Sequence, residues 1–418
     1  MGPMPVPSLR ELQEPLGHRL REQGGLGAIL VDLAHLAQIE RSFGGATYQS
    51  LRALIDPVIL EMQDRFRHGD LLARDEREGD RYVLFLAARR DGNEPLSIPE
   101  LGSLANRIEE FLKPRIARLS LPYLRERPDI DVGYAFVVFS PLEGEERQCL
   151  RLIEEARQSS ELRRRVKERE QREHLIDIIY NRKVWTAFHA IVEMDSKKIV
   201  GYEGLSRGPR GSELQPPVAL FGLAARHGLV EELERACRRQ IFSDWEVFGA
   251  EGRLFVNTVP ATVRDTSFMG RGVLDYLGPK LSPRFVTLEI TEGQVIENLN
   301  LYREAMHAFL DLGFTFAIDD VGAGYSGLET IANLGASYLK IDMGLVRDVH
   351  QKRATQQVVK AILDVGSGVG ATVIAEGIQT VAEADCLQEL GVRYAQGYLY
   401  ARPVDPHAPR TRVIAKNA

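Results

Sequence analysis

Two adjacent aspartates, Asp319 and Asp320, close the apolar run 316–318 and are followed by a glycine-rich turn, Gly322-Ala323-Gly324. Neighbouring carboxylates repel unless a cation lies between them, so the pair reads as part of a metal site. Six further apolar runs end in a polar group. Val200-Gly201-Tyr202 leads to Glu203, Leu254-Phe255-Val256 to Asn257, Val286-Thr287-Leu288 to Glu289, Tyr338-Leu339 to Lys340, Val373-Ile374-Ala375 to Glu376, and Tyr394-Ala395 to Gln396. Taken singly, such a carboxylate is more often a helix cap or a solvated charge, Lys340 a surface ion-pair partner and Gln396 a turn residue. Converging at one mouth, five carboxylates beside the neutral ligand Asn257 require divalent cations, and hard oxygen ligands select Mg2+, Mn2+ or Ca2+ over zinc. Five carboxylates suit two ions, and two-metal sites clamp the attacking and leaving oxygens of an in-line displacement at phosphorus. Lys340 adds a cation for the attacking water or the developing charge. The chemistry predicted is metal-assisted phosphoester hydrolysis.

Groups at the ends of successive strands meet on one face of a TIM-type (β/α)8 barrel. Helical stretches near 219–226, 299–312 and 356–369 alternate with the strands, which predicts an α/β barrel over 179–410. Ahead of it, strands are expected at 28–31, 80–86 and 132–139, with helices around Leu51, Leu54, Ile55 and Ile59 and over 101–119. These form a smaller α+β or α/β domain over 25–158 after a lead-in helix within residues 1–24. From Glu145 the chain turns charged and helical, and residues 159–178 are expected to form a connecting helix. Leu152, Ile153, Leu162 and Val166 give them a partial seam, read as a solvated connecting helix, with a dimerising helix as the other reading.

No apolar run reaches the roughly 18 residues needed to cross a bilayer, and the first residues lack a signal-peptide layout. The expectation is a cytoplasmic chain without membrane insertion. Cys149, Cys237 and Cys386 are scattered singly, which predicts buried free thiols and neither disulfides nor a zinc site. A formal charge of −6 argues against DNA binding along the phosphate backbone and leaves room for a small phosphate ligand.

Over about residues 180–405 the sequence resembles the EAL-domain family of cyclic di-GMP phosphodiesterases. The naming motif stands as Glu203-Gly204-Leu205-Ser206-Arg207, with Gly for the usual Ala. Asn257 follows in VNTVP, Glu289 and Glu292 in EITEG, Asp319 and Asp320 in DDVGAGYSGL, Lys340 in LKID, Glu376 in AEGIQT and Gln396 in QGY. The resemblance implies that Glu203, Asn257, Glu289 and Asp319 hold one Mg2+ or Mn2+, and Asp319, Asp320 and Glu376 a second. It implies that Lys340 orients the water that opens cyclic di-GMP to linear pGpG, with Glu203 and Glu376 in the catalytic set. Arg207 and Gln396 would contact substrate, and Glu292 would brace a loop coupled to a homodimer interface. Three departures stand out. Val321 and Ala323 alter the aspartate loop. Gln379 replaces a second glutamate, removing a charge close to the water. His189, in Phe188-His189-Ala190, stands where a substrate-positioning Gln is usual, with a core histidine as the other reading. The alternative function is a weak or inactive cyclic di-GMP receptor signalling through the connecting helix.

The first domain resembles the GGDEF family of diguanylate cyclases. Glu78-Gly79-Asp80-Arg81-Tyr82 occupies the signature position, with Arg81 for an essential Glu. Asp32 survives from a metal motif that Ala34, Leu36 and Ala37 have otherwise lost, and Glu40 and Gln49 replace guanine-reading residues. This implies a degenerate domain that makes no cyclic di-GMP and serves as a regulatory or dimerising module, open to an unknown protein partner.

Overall fold

Strand β1 (Gly25–Asp32) is apolar at almost every position because helices cover both faces of its sheet. The computed structural model describes residues 6–33, 36–63, 70–75, 80–87, 96–121, 123, 130–258, 268, 270–278, 281–291, 306–322 and 335–408. It divides into two compact units between Gln171 and Arg172. In the first, β1 pairs antiparallel with β3 (Arg81–Ala87) and β4 (Asp131–Val138), and β2 (Leu71–Arg74) pairs with β3, giving the order β2-β3-β1-β4. Ile29, Val31, Tyr82 and Leu84 face one core, packed with residues of α2 (Ala37–Phe43), α3 (Gly45–Gln63) and α4 (Ile98–Ser120). The alternate residues Ala28, Leu30, Val83 and Phe85 face the other, with α1 (Gln13–Gln23) and the start of α5 (Glu145–Tyr180). This is the two-residue period of a strand expressed on both faces.

The lead-in contains helix α1, and its Leu16 and Leu20 are buried in that second core. The charged helix runs from Glu145, and Cys149, Leu152 and Ala156 supply a buried stripe ahead of the polar stretch that starts near 159. Of the thiols, Cys149 and Cys237 are buried and Cys386 only partly so.

The second unit is a closed eight-stranded barrel, in the order β10-β11-β12-β5-β6-β7-β8-β9. Its strands are β5 (Trp185–Glu193), β6 (Ile199–Arg207), β7 (Arg253–Asn257), β8 (Val286–Thr291), β9 (Thr315–Val321), β10 (Tyr338–Ile341), β11 (Thr372–Ala375) and β12 (Tyr394–Gln396). All neighbours are parallel except β5, which runs antiparallel to both β6 and β12. A hairpin forces that reversal: β5 returns directly into β6 through residues 194–198, and so short a link cannot reach a parallel partner. The eighth strand thus supplies His189, outside the seven runs that carry the acidic pattern. Helices α6 (Pro217–His227), α7 (Val230–Phe248), α8 (Arg353–Val369) and α9 (Val381–Leu390) lie between strands in the chain. No described helix is long and apolar enough to cross a membrane.

The polar groups do not all stand at strand tips, as the sequence pattern suggests. Glu203 lies in the middle of β6 and Glu289 within β8. The barrel interior explains this. Ile191, Phe255, Ala317 and Ile374 form one small apolar cluster, with Tyr338 and Tyr394 against it. Two residues further along their strands come Asn257, Asp319, Glu376, Lys340 and Gln396, and two residues earlier on reversed β5 comes His189. Side chains two apart share a face, so an apolar layer underlies a polar one inside the barrel.

With Glu203 facing inward, Gly204 faces α7, where an added Cβ would meet Ile241 Cγ2 at 2.9 Å. Gly204→Ala should cost about 1–3 kcal/mol through overpacking, read by denaturant unfolding. The loss should be smaller in the presence of Ile241→Ala; additive losses would contradict the contact.

Candidate active site

Lys340 is completely buried at the centre of four carboxylates. Its Nζ lies 2.6 Å from Glu376 Oε1, 2.7 Å from Glu289 Oε1, 3.2 Å from Asp319 Oδ1 and 3.6 Å from Glu203 Oε2. A lysine is rarely this buried without partners, and here burial, which alone would lower its pKa, is outweighed by Asp319, Glu203, Glu289 and Glu376, so its pKa is well above the usual value. One ammonium cannot serve four carboxylates. Burial, reinforced by Glu203, Asp319 and Glu376 against the pull of Lys340, raises the Glu289 carboxyl far above its normal range. Burial likewise pushes Glu376 up to about 8, with Asp319 and Glu203 adding and Lys340 opposing. The ring is short of positive charge.

The orphaned atoms point the same way. Both Glu289 oxygens, Glu376 Oε1 and Lys340 Nζ are buried without a hydrogen-bond partner, because the close lysine–carboxylate contacts lack hydrogen-bond angles. Donor-starved carboxylate oxygens suit a hard cation. Glu203, Glu289 and Asp319 each offer an oxygen within 4.8 Å of the others, and so do Asp319, Asp320 and Glu376. Asp319 belongs to both groups.

Consecutive strand residues normally point to opposite faces, so Asp319 and Asp320 should not serve one site. A bulge resolves this. Against β10, Ile318 pairs with Leu339 but Val321 with Ile341, leaving two residues of β9 opposite Lys340 alone. Asp320 takes φ +56°, a left-handed conformation that aspartate tolerates better than most residues, and its N–H bonds Asp319 Oδ1 at 3.0 Å. Burial, Asp319 and Asp342 raise its carboxyl to about 6.

Glu203 is held by amides. Asn257 Nδ2 donates to its Oε1 at 3.0 Å and Gln396 Nε2 to its Oε2 at 2.9 Å. Burial opposes ionisation, but Lys340 and these two donors outweigh it and keep the carboxyl below its ordinary range. His189 is the register partner of Glu203 across β5 and β6; it is buried, and its Nε2 lies 3.1 Å from Ala401 O. A carbonyl only accepts, so Nε2 carries the proton. Arg207, two turns of the pleat beyond Glu203, bonds Ser206 O. Gln379 is exposed, and its backbone N–H donates to Glu383 Oε2 at 2.9 Å. Glu292 and Ala323 lie outside the described residues, while Val321 is buried in the barrel core. Glu383 was missed: buried, it accepts from the backbone of Gln379, Thr380 and Asp348 and so ties the loop after β11 to that after β10. Its signal was legible as the capping box Thr380-x-x-Glu383 ahead of α9.

The sequence profile of the EAL domain matches residues 170–403, more than half of the chain. The chain belongs to the EAL domain family. An uncharacterized protein of Synechocystis is 24% identical over 421 residues, an alignment covering 94% of this chain and 57% of that protein. The probable cyclic di-GMP phosphodiesterase PdeA of Escherichia coli is 35% identical over 191 residues, covering 45% of this chain and 25% of its own length. The chain therefore spans about half or less of these curated relatives. Among solved structures, the EAL domain of FimX from Xanthomonas citri in complex with c-diGMP superposes with a TM-score of 0.53 at 18% identity, covering 59% of this chain and 98% of that one. That likeness establishes the fold of the EAL domain.

Lys340→Met removes the cation at the centre of the EAL ring. With divalent ions chelated it should destabilise the protein by about 3–5 kcal/mol, the cost of stranding buried charge, and Mn2+ should restore more of the melting temperature than it adds to the parent. Equal melting of the two proteins in chelator would contradict the electrostatic account.

Proposed function

We propose that the barrel hydrolyses cyclic di-GMP to linear pGpG with two divalent cations, Mg2+ or Mn2+. The observation that carries this is the buried ring around Lys340, in which both Glu289 oxygens and Glu376 Oε1 lack hydrogen-bond donors. Membership of the EAL family and the similarity to an E. coli protein named as a probable cyclic di-GMP phosphodiesterase support the choice of substrate. Glu203, Asn257, Glu289 and Asp319 would hold one ion, and Asp319, Asp320 and Glu376 the other, in keeping with the two groups of converging oxygens. When bound, such a pair neutralises the phosphodiester and acidifies water.

The protein's own residues do the rest. Lys340 Nζ, between Glu376 and Glu289, orients the attacking water and faces the negative charge that develops at phosphorus. Arg207 contacts the phosphate. Gln396 and Asn257 fix the orientation of Glu203 through their amides. His189, its Nε2–H committed to Ala401, forms part of the substrate wall. The receptor alternative rested on Gln379, and its exposed side chain leaves the buried ring unaltered, which favours the enzyme.

The first unit is a degenerate GGDEF-like module with a regulatory role in a cytoplasmic homodimer. Arg81 Nε donates to Asp32 Oδ2 at 2.7 Å and stands opposite it in register. A guanidinium thus sits on the carboxylate that a cation would need.

Purified protein given cyclic di-GMP and Mg2+ or Mn2+ should release pGpG, resolved by chromatography, and a chelator should stop it. Lys340→Met should lower kcat by about 10²–10³-fold with little change in affinity for cyclic di-GMP; undiminished turnover would contradict the role given to Lys340. Given GTP and Mg2+, the protein should form no cyclic product, and appearance of cyclic di-GMP would overturn the reading of Arg81.

A further inference from the structure

The segment 401–407, which follows β12, is fastened to the wall that carries His189 and Arg207. Phe188 of β5 and Val404 exchange backbone hydrogen bonds, each of 2.8 Å, and Ala401 O accepts from His189 Nε2 at 3.1 Å. Farther on, His407 Nε2 donates to Asp244 Oδ1 at 2.8 Å. Asp244 is buried in α7, and its Oδ2 also accepts the backbone N–H of Thr186 in β5 at 2.8 Å. The segment is thus held along β5 at Ala401, at Val404 and, through Asp244, at His407.

A separate fastening reaches the loop after β6. Arg210 forms a two-pronged pair with Asp405, Nη1 to Oδ2 and Nη2 to Oδ1, the latter at 2.9 Å. Its guanidinium carbon lies 4.2 Å from the ring centre of Trp185, and Trp185 is the register partner of Arg207. The loop carries its own bonds, from Gly208 N–H to Gln215 O, Gly211 N–H to Gln215 Oε1 and Ser212 Oγ to Pro209 O. Isolated surface ion pairs contribute little. A planar guanidinium with two bonds to one carboxylate and an aromatic ring against it is held in one orientation.

We infer that Arg210 and Asp405 are positioning residues for the substrate, an inference that rests on the proposed reaction. Their pair joins the loop that leaves Arg207 to the segment whose Ala401 carbonyl orients His189, so the guanidinium meant for phosphate and the imidazole of the wall keep a fixed separation. Without the pair each group stays on its strand and the common reference is lost. The cyclic dinucleotide must then order the wall as it binds, which weakens binding. The ring around Lys340 is held by its own contacts, so bound substrate should still turn over.

Asp405→Asn and Arg210→Gln break the pair from either side, and Asn keeps an acceptor for the His407 N–H that bonds Asp405 Oδ1. Each should raise KM for cyclic di-GMP about 5–20-fold with kcat within about twofold. The double variant should be no worse than the weaker single, because the two residues act as a unit. Arg210→Lys, which keeps the charge without the two-pronged geometry, should fall between parent and Arg210→Gln. In protein without substrate, hydrogen exchange at the Phe188 and Val404 amides should quicken in both single variants. Unchanged KM or unaltered exchange in both singles would overturn the inference, and so would losses that multiply in the double. A fall in kcat and melting temperature at constant KM would mark a merely structural role and overturn it as well. If the parent releases no pGpG, the proposed hydrolysis is what fails, and dissociation constants of cyclic di-GMP for the same proteins replace KM under the same criteria. A parent that does not bind cyclic di-GMP would overturn both.

Discussion

Burying several carboxylates together is possible only if positive charge is buried with them. In the EAL barrel that constraint falls on one ammonium, Lys340, against Glu203, Glu289, Asp319 and Glu376. The deficit shows in opposite responses. Glu203, which has two amide donors, stays below its normal range, whereas Glu289, neither of whose oxygens has a donor, and Glu376, whose Oε1 has none, are pushed up. The protein supplies two amide donors to Glu203 and leaves both Glu289 oxygens and Glu376 Oε1 without a hydrogen-bond donor.

The scaffold makes the arrangement affordable in structural terms by placing the ring on rigid strands over an apolar floor. Ile191, Phe255, Ala317 and Ile374 fill the interior below, and the two-residue period carries the next inward position of each strand into the ring. The bulge at Asp319-Asp320 breaks that period and lets two consecutive residues serve the same site. On the outward face of β6, Gly204 leaves room for Ile241. Chemistry and packing are thus set by alternate residues of one strand.

Much of this was legible in the sequence, and the limits have physical causes. The seven runs ending in Glu203, Asn257, Glu289, Asp319, Lys340, Glu376 and Gln396 identified the residues because a charge after an apolar run is conspicuous. They suggested tips in place of interior positions, since an inward-facing Glu and a tip Glu look alike until the strand is known to continue, as Leu205 and Ser206 do in β6. Strand β5 escaped notice because its reversal comes from a hairpin and not from its own composition. The bulge needs the register against β10, which no single strand encodes. In the first unit β2 is four residues long, too short for alternation to show. Arg81 was legible as an obstacle to cation binding, while its bond to Asp32 required the pairing of β1 with β3.

The claim that the buried ring is a two-cation site is tested most directly by counting ions. Titration of the purified, chelator-treated protein with Mn2+, followed by electron paramagnetic resonance of the free ion, should give saturable binding of two ions per chain. Replacing Asp319, the residue common to both oxygen groups, with Asn should disturb both. Absence of saturable binding in the parent, or unchanged binding of both ions in Asp319→Asn, would contradict the account.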